Sequence, residues 1–261
     1  MPFVESRGTR IHFEVEGDGP TVVLHTGAGG DLAIWRLGGY LERLRGFRKI
    51  LIDQRGRGQS DRPKEIEAYR MERFVEDLAA VLDSVGADSV GFWGYSNGMN
   101  VGIAFGAAWP LRLRCLVGTG TLRYRDRSDL PPPADVNTEI RQDVANGGVV
   151  AELEARMVAE SDRFPPEIDA NVRAGDPLTY ALTGAAWSSW KGPRSAVARF
   201  RAPVLILTGE KEDPHRFTEE TVARTPGARM VRVPGVGHLG AFYRSDLAVP
   251  LVRPFLQESL G

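Results

Sequence analysis

The stretch Ser89-Val-Gly-Phe-Trp-Gly-Tyr-Ser-Asn-Gly98 joins an apolar run to a Gly-x-Ser-x-Gly motif. The run predicts a buried strand, and the motif is typical of a sharp strand-to-helix turn that exposes a strained serine, here Ser96. Glycines at 98, 102 and 106 then recur at every fourth residue. This spacing leaves one helix face without side chains, so the helix can lie close to a sheet. Because 30 glycines make a chance match common, the motif needs support from the rest of the chain.

Short apolar strands alternate with helical patterns on both sides of this unit. The predicted strands are residues 21–24, 49–52, 113–117, 202–207 and 229–233. Helices are predicted over residues 32–44 and 71–85, and residues 3–17 alternate polar and apolar side chains as an antiparallel edge hairpin does. The pattern predicts an α/β fold with a mostly parallel central sheet and flanking helices.

The alternation stops between residues 121 and 199. This stretch shows no clear strand, contains a run of three prolines at 131–133 and includes helix-compatible residues such as 149–161. We predict that it is a helical cap inserted over the carboxyl edge of the sheet, and that residues 1–120 and 200–261 form the core domain. Four of its aromatic residues are candidates for lining an apolar substrate pocket: Phe164, Tyr180, Trp187 and Trp190.

Three reactive side chains follow predicted strands, at the edge where open α/β sheets bind ligands: Ser96, Asp213 and His238. A free serine is a poor nucleophile and needs a base such as a neutral histidine, whose tautomer a carboxylate fixes. The order serine, acid, histidine along the chain is the order expected for a serine on a strand-to-helix turn. Motif and order together indicate nucleophilic catalysis by Ser96.

The chain resembles the α/β-hydrolases over nearly its whole length, through the serine motif, the triad order and the loop Asp53-Gln-Arg-Gly-Arg-Gly-Gln-Ser-Asp61. That loop is similar to the Asp-x-Arg-Gly-x-Gly-x-Ser-Asp loop of the serine-nucleophile subgroup with esterases, lactonases, cofactor-free haloperoxidases, C–C bond hydrolases and proline iminopeptidases. The resemblance implies that Ser96 is the nucleophile, His238 the general base and Asp213 the orienting acid. It also implies that no metal or organic cofactor takes part.

The resemblance leaves two positions open. Family members commonly place the acid three residues after the strand-ending glycine, where this chain has Glu212, so Glu212 is the alternative to Asp213. The backbone N–H of Asn97 is implied as one oxyanion donor. The second donor should come from the loop after residues 21–24, where Gly27 is the first choice and Ala28 the second.

Composition narrows the classes of partner. A net charge of −1 gives no field for holding nucleic acid or an anionic membrane, and no apolar run approaches the roughly 20 residues that span a bilayer. Cys115 is the only cysteine, and the N-terminus lacks the apolar core of a signal peptide. We expect a cytoplasmic protein that acts on a small molecule, without a metal, nucleic-acid or membrane partner. The sequence leaves its oligomeric state open.

These observations predict a serine hydrolase that cleaves small carboxylic esters or lactones through an acyl-enzyme on Ser96. The same triad also suits a C–C bond hydrolase, a proline-iminopeptidase-like amidase, or a cofactor-free perhydrolase or haloperoxidase. The alternative outside the enzymes is a receptor that binds a ligand without converting it. The intact set of Ser96, Asp213 and His238 argues against it. An epoxide hydrolase or haloalkane dehalogenase is disfavoured, since both need an aspartate where Ser96 stands.

Overall fold

One eight-stranded sheet organises the protein. The computed structural model describes residues 2–27, 29–120, 136–159, 162–188, 190, 200–212, 219, 222–223, 225 and 227–261. The strands are β1 Phe3–Ser6, β2 Thr9–Glu16, β3 Thr21–His25, β4 Arg48–Ile52, β5 Val90–Tyr95, β6 Leu113–Thr119, β7 Val204–Gly209 and β8 Arg229–Val233, in the spatial order β1-β2-β4-β3-β5-β6-β7-β8. Only the β1–β2 and β2–β4 pairs are antiparallel. The predicted mostly parallel sheet with an antiparallel edge hairpin is confirmed.

Helices connect the strands and cover both faces of the sheet. Those in the described residues are α1 Ala33–Leu37, α2 Tyr40–Arg43, α3 Met71–Ser84, α4 Gly98–Ala108, α5 Val136–Ala145, α6 Gly148–Ala159, α7 Pro166–Arg173, α8 Pro177–Ser188, α9 Gly240–Tyr243 and α10 Ser245–Leu260. The prediction of one helix over residues 32–44 is wrong. Gly39 takes a left-handed conformation, with φ of 72°, and separates α1 from α2.

Alternate residues of the central strands face opposite helix layers. Val23 and Phe92 belong to the apolar cluster that contains residues of α3 and α4. Leu24 and Trp93 belong to the cluster on the other face, which contains residues of α10. This is the period of two that a strand imposes, and because both faces are covered, the central strands are apolar along their whole length.

The glycine stripe of α4 lies against the sheet. A Cβ on Gly102 would lie 2.5 Å from Leu116 Cδ1, and one on Gly106 would lie 2.5 Å from Phe200 Cε2. Larger residues would push α4 away from the sheet, so the predicted reason for the spacing of four is confirmed. The close packing also fixes the start of α4, and with it the turn that carries Ser96.

Between β6 and β7 the described residues form helices α5 to α8 and no strand. α8 packs on the short 3₁₀ turn Ile66–Tyr69, and Trp187 of α8 meets Phe74 of α3 edge-on with ring centroids 4.9 Å apart. The helical character agrees with the insertion predicted at residues 121–199, whose place as a cap stays a prediction. Among the described residues we find no helix with the length and apolar character needed to cross a bilayer.

Candidate active site

Ser96 occupies the tip of the turn between β5 and α4 in a left-handed conformation, with φ of 50°. That region is unfavourable for a residue with a Cβ, and a hydrogen bond of 2.7 Å from Ser96 N–H to Thr119 O helps to hold it. Glycines allow the turn to close. A Cβ on Gly94 would lie 2.6 Å from the carbonyl carbon of Gly98, and one on Gly98 would lie 2.5 Å from Thr26 O. The strand, the helix and the preceding loop can therefore converge beneath the serine.

His238 lies between Ser96 and Glu212 in a line of hydrogen bonds. Its Nε2 is 3.2 Å from Ser96 Oγ, and its Nδ1 is 2.8 Å from Glu212 Oε1. Both His238 and Glu212 are buried, and the ring of Tyr95 lies beside the imidazole with centroids 5.4 Å apart. Because an ionised carboxylate can only accept, Nδ1–H donates to Glu212 and Nε2 is left to accept the serine proton.

The alternative acid of the sequence prediction, Glu212, is the carboxylate that contacts the imidazole, whereas Asp213 lies outside the described residues. Glu212 sits in a tight turn after β7, where its N–H donates to Gly209 O at 3.1 Å. A Cβ on Gly209 would lie 2.5 Å from Val236 O, so a glycine here lets the acid turn and the histidine loop approach. Among the described residues, no cluster of three or more His, Cys, Asp or Glu could hold a metal ion.

Two features that the sequence prediction missed fix the His238 loop. Gly120 has φ of 91°, and a Cβ there would overlap the imidazole ring, so only a glycine leaves room for His238. From the other side, Asp162 Oδ2 accepts hydrogen bonds from the backbone N–H groups of Gly237 and Gly240, at 2.7 Å each. Neither Gly120 nor Asp162 belongs to a recognisable motif.

The loop after β3 passes beside the serine. A Cβ on Gly27 would lie 3.2 Å from Ser96 Cβ, which places this first-choice donor next to the nucleophile. Ala28, the second choice, lies outside the described residues. Asn97 is the N-cap residue of α4, at a helix end where backbone N–H groups lack intrahelical acceptors. Both first-choice donors therefore adjoin Ser96, and their role as an oxyanion hole stays a prediction.

Buried polar side chains hold that loop in place. Gln54 Nε2 donates to Gly27 O at 2.7 Å, and Asp53 Oδ1 accepts from Leu32 N–H at 2.8 Å. His25 donates from Nδ1 to the carbonyl of the next residue at 3.0 Å, and burial lowers the pKa of His25 to about 4. His25 is therefore neutral at pH 7 and acts as a structural support beneath the loop.

The loop that carries the family resemblance is buried despite its charges. Asp53 accepts from His12 Nδ1 at 2.8 Å as well as from the backbone, and Arg55 forms two hydrogen bonds of 2.6 and 2.7 Å to Asp77. Asp53, Arg55 and Arg57 are each at most 2% exposed. The hydrogen bonds of Asp53 to His12 and of Arg55 to Asp77 give these two buried charges the partners that a buried ion requires.

The four aromatic residues predicted to line the pocket lie in different surroundings. Trp187 and Trp190 join the apolar cluster that contains α3 and α4. Tyr180 lies 5.8 Å from the guanidinium carbon of Arg57. Phe164 packs on the ring of the last residue of α9. Their part in substrate binding stays a prediction.

Comparisons with known proteins agree with the observed fold. A family model described as alpha/beta hydrolase fold matches residues 20–245. A Bacillus subtilis (strain 168) protein provisionally named 2-succinyl-6-hydroxy-2,4-cyclohexadiene-1-carboxylate synthase is 27% identical over 264 residues, covering 94% of this chain and 95% of that protein. Epoxide hydrolase B of Mycobacterium tuberculosis (strain ATCC 25618 / H37Rv) is 36% identical over 116 residues, 43% of this chain and 33% of the relative. The structure of a malate-bound thermophilic esterase from Thermogutta terrifontis is similar with a TM-score of 0.82 at 21% identity, covering 100% of this chain and 99% of the esterase.

Proposed function

The chain belongs to the α/β-hydrolase fold family, and on that premise we propose that it is a serine hydrolase of small carboxylic esters or lactones. The observation that carries the proposal is the line of hydrogen bonds from Ser96 Oγ through His238 to Glu212. The left-handed backbone of Ser96 supports it, because strained residues of this kind cluster at functional sites.

In the first step, His238 Nε2 takes the hydroxyl proton of Ser96 while Oγ attacks the carbonyl carbon of the ester. Negative charge develops on the carbonyl oxygen, and we assign its stabilisation to the backbone N–H groups of Asn97 and Gly27. When the carbonyl re-forms, the bond to the leaving oxygen breaks and the imidazolium returns its proton to the departing alcohol. The Glu212 carboxylate fixes the tautomer and stabilises the imidazolium.

In the second step, water takes the place of the alcohol. His238 removes one proton from the water, the resulting hydroxide attacks the acyl carbon, and Ser96 Oγ leaves with the proton held by the imidazolium. A lactone follows the same course, except that the leaving alcohol stays tethered to the acyl chain. Its product is therefore a single hydroxy acid.

We assign residues 121–199 to a cap that shapes the acyl and leaving-group sites. The support is that this insertion leaves the sheet beside the nucleophile: Ser96 N–H is bonded to Thr119 O at the end of β6, two residues before the insertion begins. Its aromatic residues Phe164, Tyr180, Trp187 and Trp190 remain the candidates for the pocket wall. A pocket so built would take a small-molecule substrate.

The test is nitrophenol release from p-nitrophenyl acetate, butyrate and octanoate by the wild type, Ser96→Ala and the control Ser89→Ala. Ser89 is half-buried just before β5, at the opposite end of that strand from Ser96, so its variant should keep wild-type activity. Ser96→Ala should lose activity by about 10³-fold or more. Mass spectrometry of protein quenched during turnover should find the acyl group on Ser96.

Full activity of Ser96→Ala on a true substrate would overturn the proposal. If the wild type hydrolyses no ester or lactone but releases nitroaniline from proline p-nitroanilide, the amidase alternative replaces the esterase. The chain-length preference among the three esters would measure the size of the acyl site.

A further inference from the structure

A carboxylate of the insertion reaches the loop that carries the histidine. Asp162 Oδ2 accepts from both Gly237 N–H and Gly240 N–H at 2.7 Å, and Oδ1 lies 2.9 Å from Gly237 N. We propose that Asp162 is a positioning residue that aligns His238 and makes this alignment depend on the insertion. This inference rests on the proposed function, in which His238 is the general base.

The two N–H groups bracket His238 at the start of α9. Gly240 N–H opens α9 and has no acceptor within that helix, and Asp162 supplies one to it and to Gly237 N–H. A Cβ on Gly240 would overlap Asp162 Oδ2, so a glycine at this position is what permits the carboxylate to approach. A charged acceptor also forms stronger hydrogen bonds than a neutral one, which suits a side chain that must hold two donors.

Asp162 holds the backbone beside His238, which the contacts to the imidazole ring do not hold. Glu212 fixes Nδ1 and Gly120 supports one side of the ring, but neither holds the backbone on which the ring is mounted. The contact between His238 Nε2 and Ser96 Oγ is 3.2 Å, at the long end of the hydrogen-bond range. A shift of the loop by about 1 Å would therefore break the contact through which the proton is transferred.

The same segment of the insertion touches α9 at both ends. Asp162 binds at the start of α9, and Phe164, two residues later, packs on Tyr243 at its end with ring centroids 6.5 Å apart. The position of residues 162–164 and the alignment of His238 are therefore coupled. Displacement of the segment would leave Ser96 without an aligned base.

The decisive variant is Asp162→Asn, which keeps the shape but removes the charge. Because Gly237 N lies within 2.9 Å of both carboxylate oxygens, the amide NH₂ group lies against the Gly237 N–H in either orientation. Asp169→Asn is the matched control, because Asp169 belongs to the same insertion but, in the part of the chain that the structure describes, its side chain pairs with Arg173 of α7, at a partly exposed position. With p-nitrophenyl acetate, and with enzyme counted by the nitrophenol burst, kcat of Asp162→Asn should fall about 10- to 100-fold. KM should stay within about twofold, and the control should match the wild type.

A purely structural role would lower the melting temperature or the number of active sites and leave kcat per active site unchanged. That result for Asp162→Asn would overturn the proposal. Asp162→Ala, which removes both acceptor oxygens and adds no donor, should lower kcat in the same way and decides the question if Asp162→Asn does not fold. If wild-type activity does not depend on Ser96, the proposed function has failed; if it does and kcat of Asp162→Asn is normal, only this inference has failed.

Discussion

Replacement of Glu212 by glutamine tests the assignment of the acid most directly. Glu212 Oε1 lies 2.8 Å from His238 Nδ1, and both side chains are at least nine-tenths buried. Glutamine has nearly the same shape, so Glu212→Gln should preserve the packing. It removes the charge that favours the imidazolium and replaces one acceptor oxygen by a donor NH₂ group.

The size of the effect depends on the tautomer of His238. Loss of one hydrogen bond to a charged group costs about 1.5–3 kcal/mol, which corresponds to roughly 10- to 150-fold in rate. If the glutamine NH₂ donates to Nδ1, however, the ring proton moves to Nε2, and Nε2 can no longer accept the proton of Ser96. In serine proteases the equivalent change lowers kcat about 10⁴-fold, or roughly 5.4 kcal/mol of barrier. We expect a loss nearer this second value.

The assay is kcat for p-nitrophenyl acetate at pH 8, with active sites counted by the burst, for Glu212→Gln and for Asp213→Asn. The two carboxylates are adjacent in the chain, so Asp213→Asn is a matched control and should stay within a few-fold of the wild type. A large loss in Asp213→Asn with Glu212→Gln nearly unaffected would refute the reasoning and restore Asp213 as the acid.

Three further changes test the supports of the site. Gln54→Met leaves Gly27 O without its buried donor, and an unpaired buried carbonyl costs about 1–3 kcal/mol. We therefore expect kcat to fall about tenfold or more. A boronic acid transition-state analogue should bind more weakly by a similar factor. Gly120→Ala puts a Cβ into the ring of His238 at φ of 91°; urea unfolding should show about 1–2 kcal/mol lower stability, and kcat should fall as well. The pKa of His25 is lowered by burial to about 4 from about 6.5 in the unfolded chain, so its contribution to stability is complete above pH 6.5 and is lost as the pH falls to 4, by about 3 kcal/mol. In His25→Gln the difference in unfolding free energy between pH 7 and pH 4 should shrink by about that amount, and an unchanged difference would contradict the assignment.

The sheet could be predicted from the sequence because its strands carry a strong local signal. Strands covered on both faces are apolar along their whole length, and the glycine stripe after Ser96 predicts the close packing that Gly102 makes with Leu116. The break at Gly39 was missed, because a glycine inside a helical pattern does not reveal whether it will adopt a positive φ.

The site could be predicted only as far as its order along the chain. The order of Ser96, an acid and His238 requires no coordinates, but the choice between Glu212 and Asp213 does. The turn at Gly209 brings Glu212 to the imidazole, and no sequence pattern predicts which of two adjacent carboxylates such a turn will present. Asp162 precedes His238 by 76 positions and belongs to no periodic pattern, so nothing local signals the contact.

With Ser96 as the proposed nucleophile, the similarity to an epoxide hydrolase is not expected to carry that activity to this chain. Attack of Ser96 Oγ on an epoxide carbon would open the ring and leave the substrate joined to the serine as an alkyl ether. An ether has no carbonyl, so neither water activated by His238 nor an oxyanion donor could release it, and the enzyme would stop after one event. Attack of the same oxygen on an ester gives a new ester, which water hydrolyses. The scaffold is shared, but on the proposed mechanism the residue at position 96 decides which bonds the enzyme can cleave repeatedly.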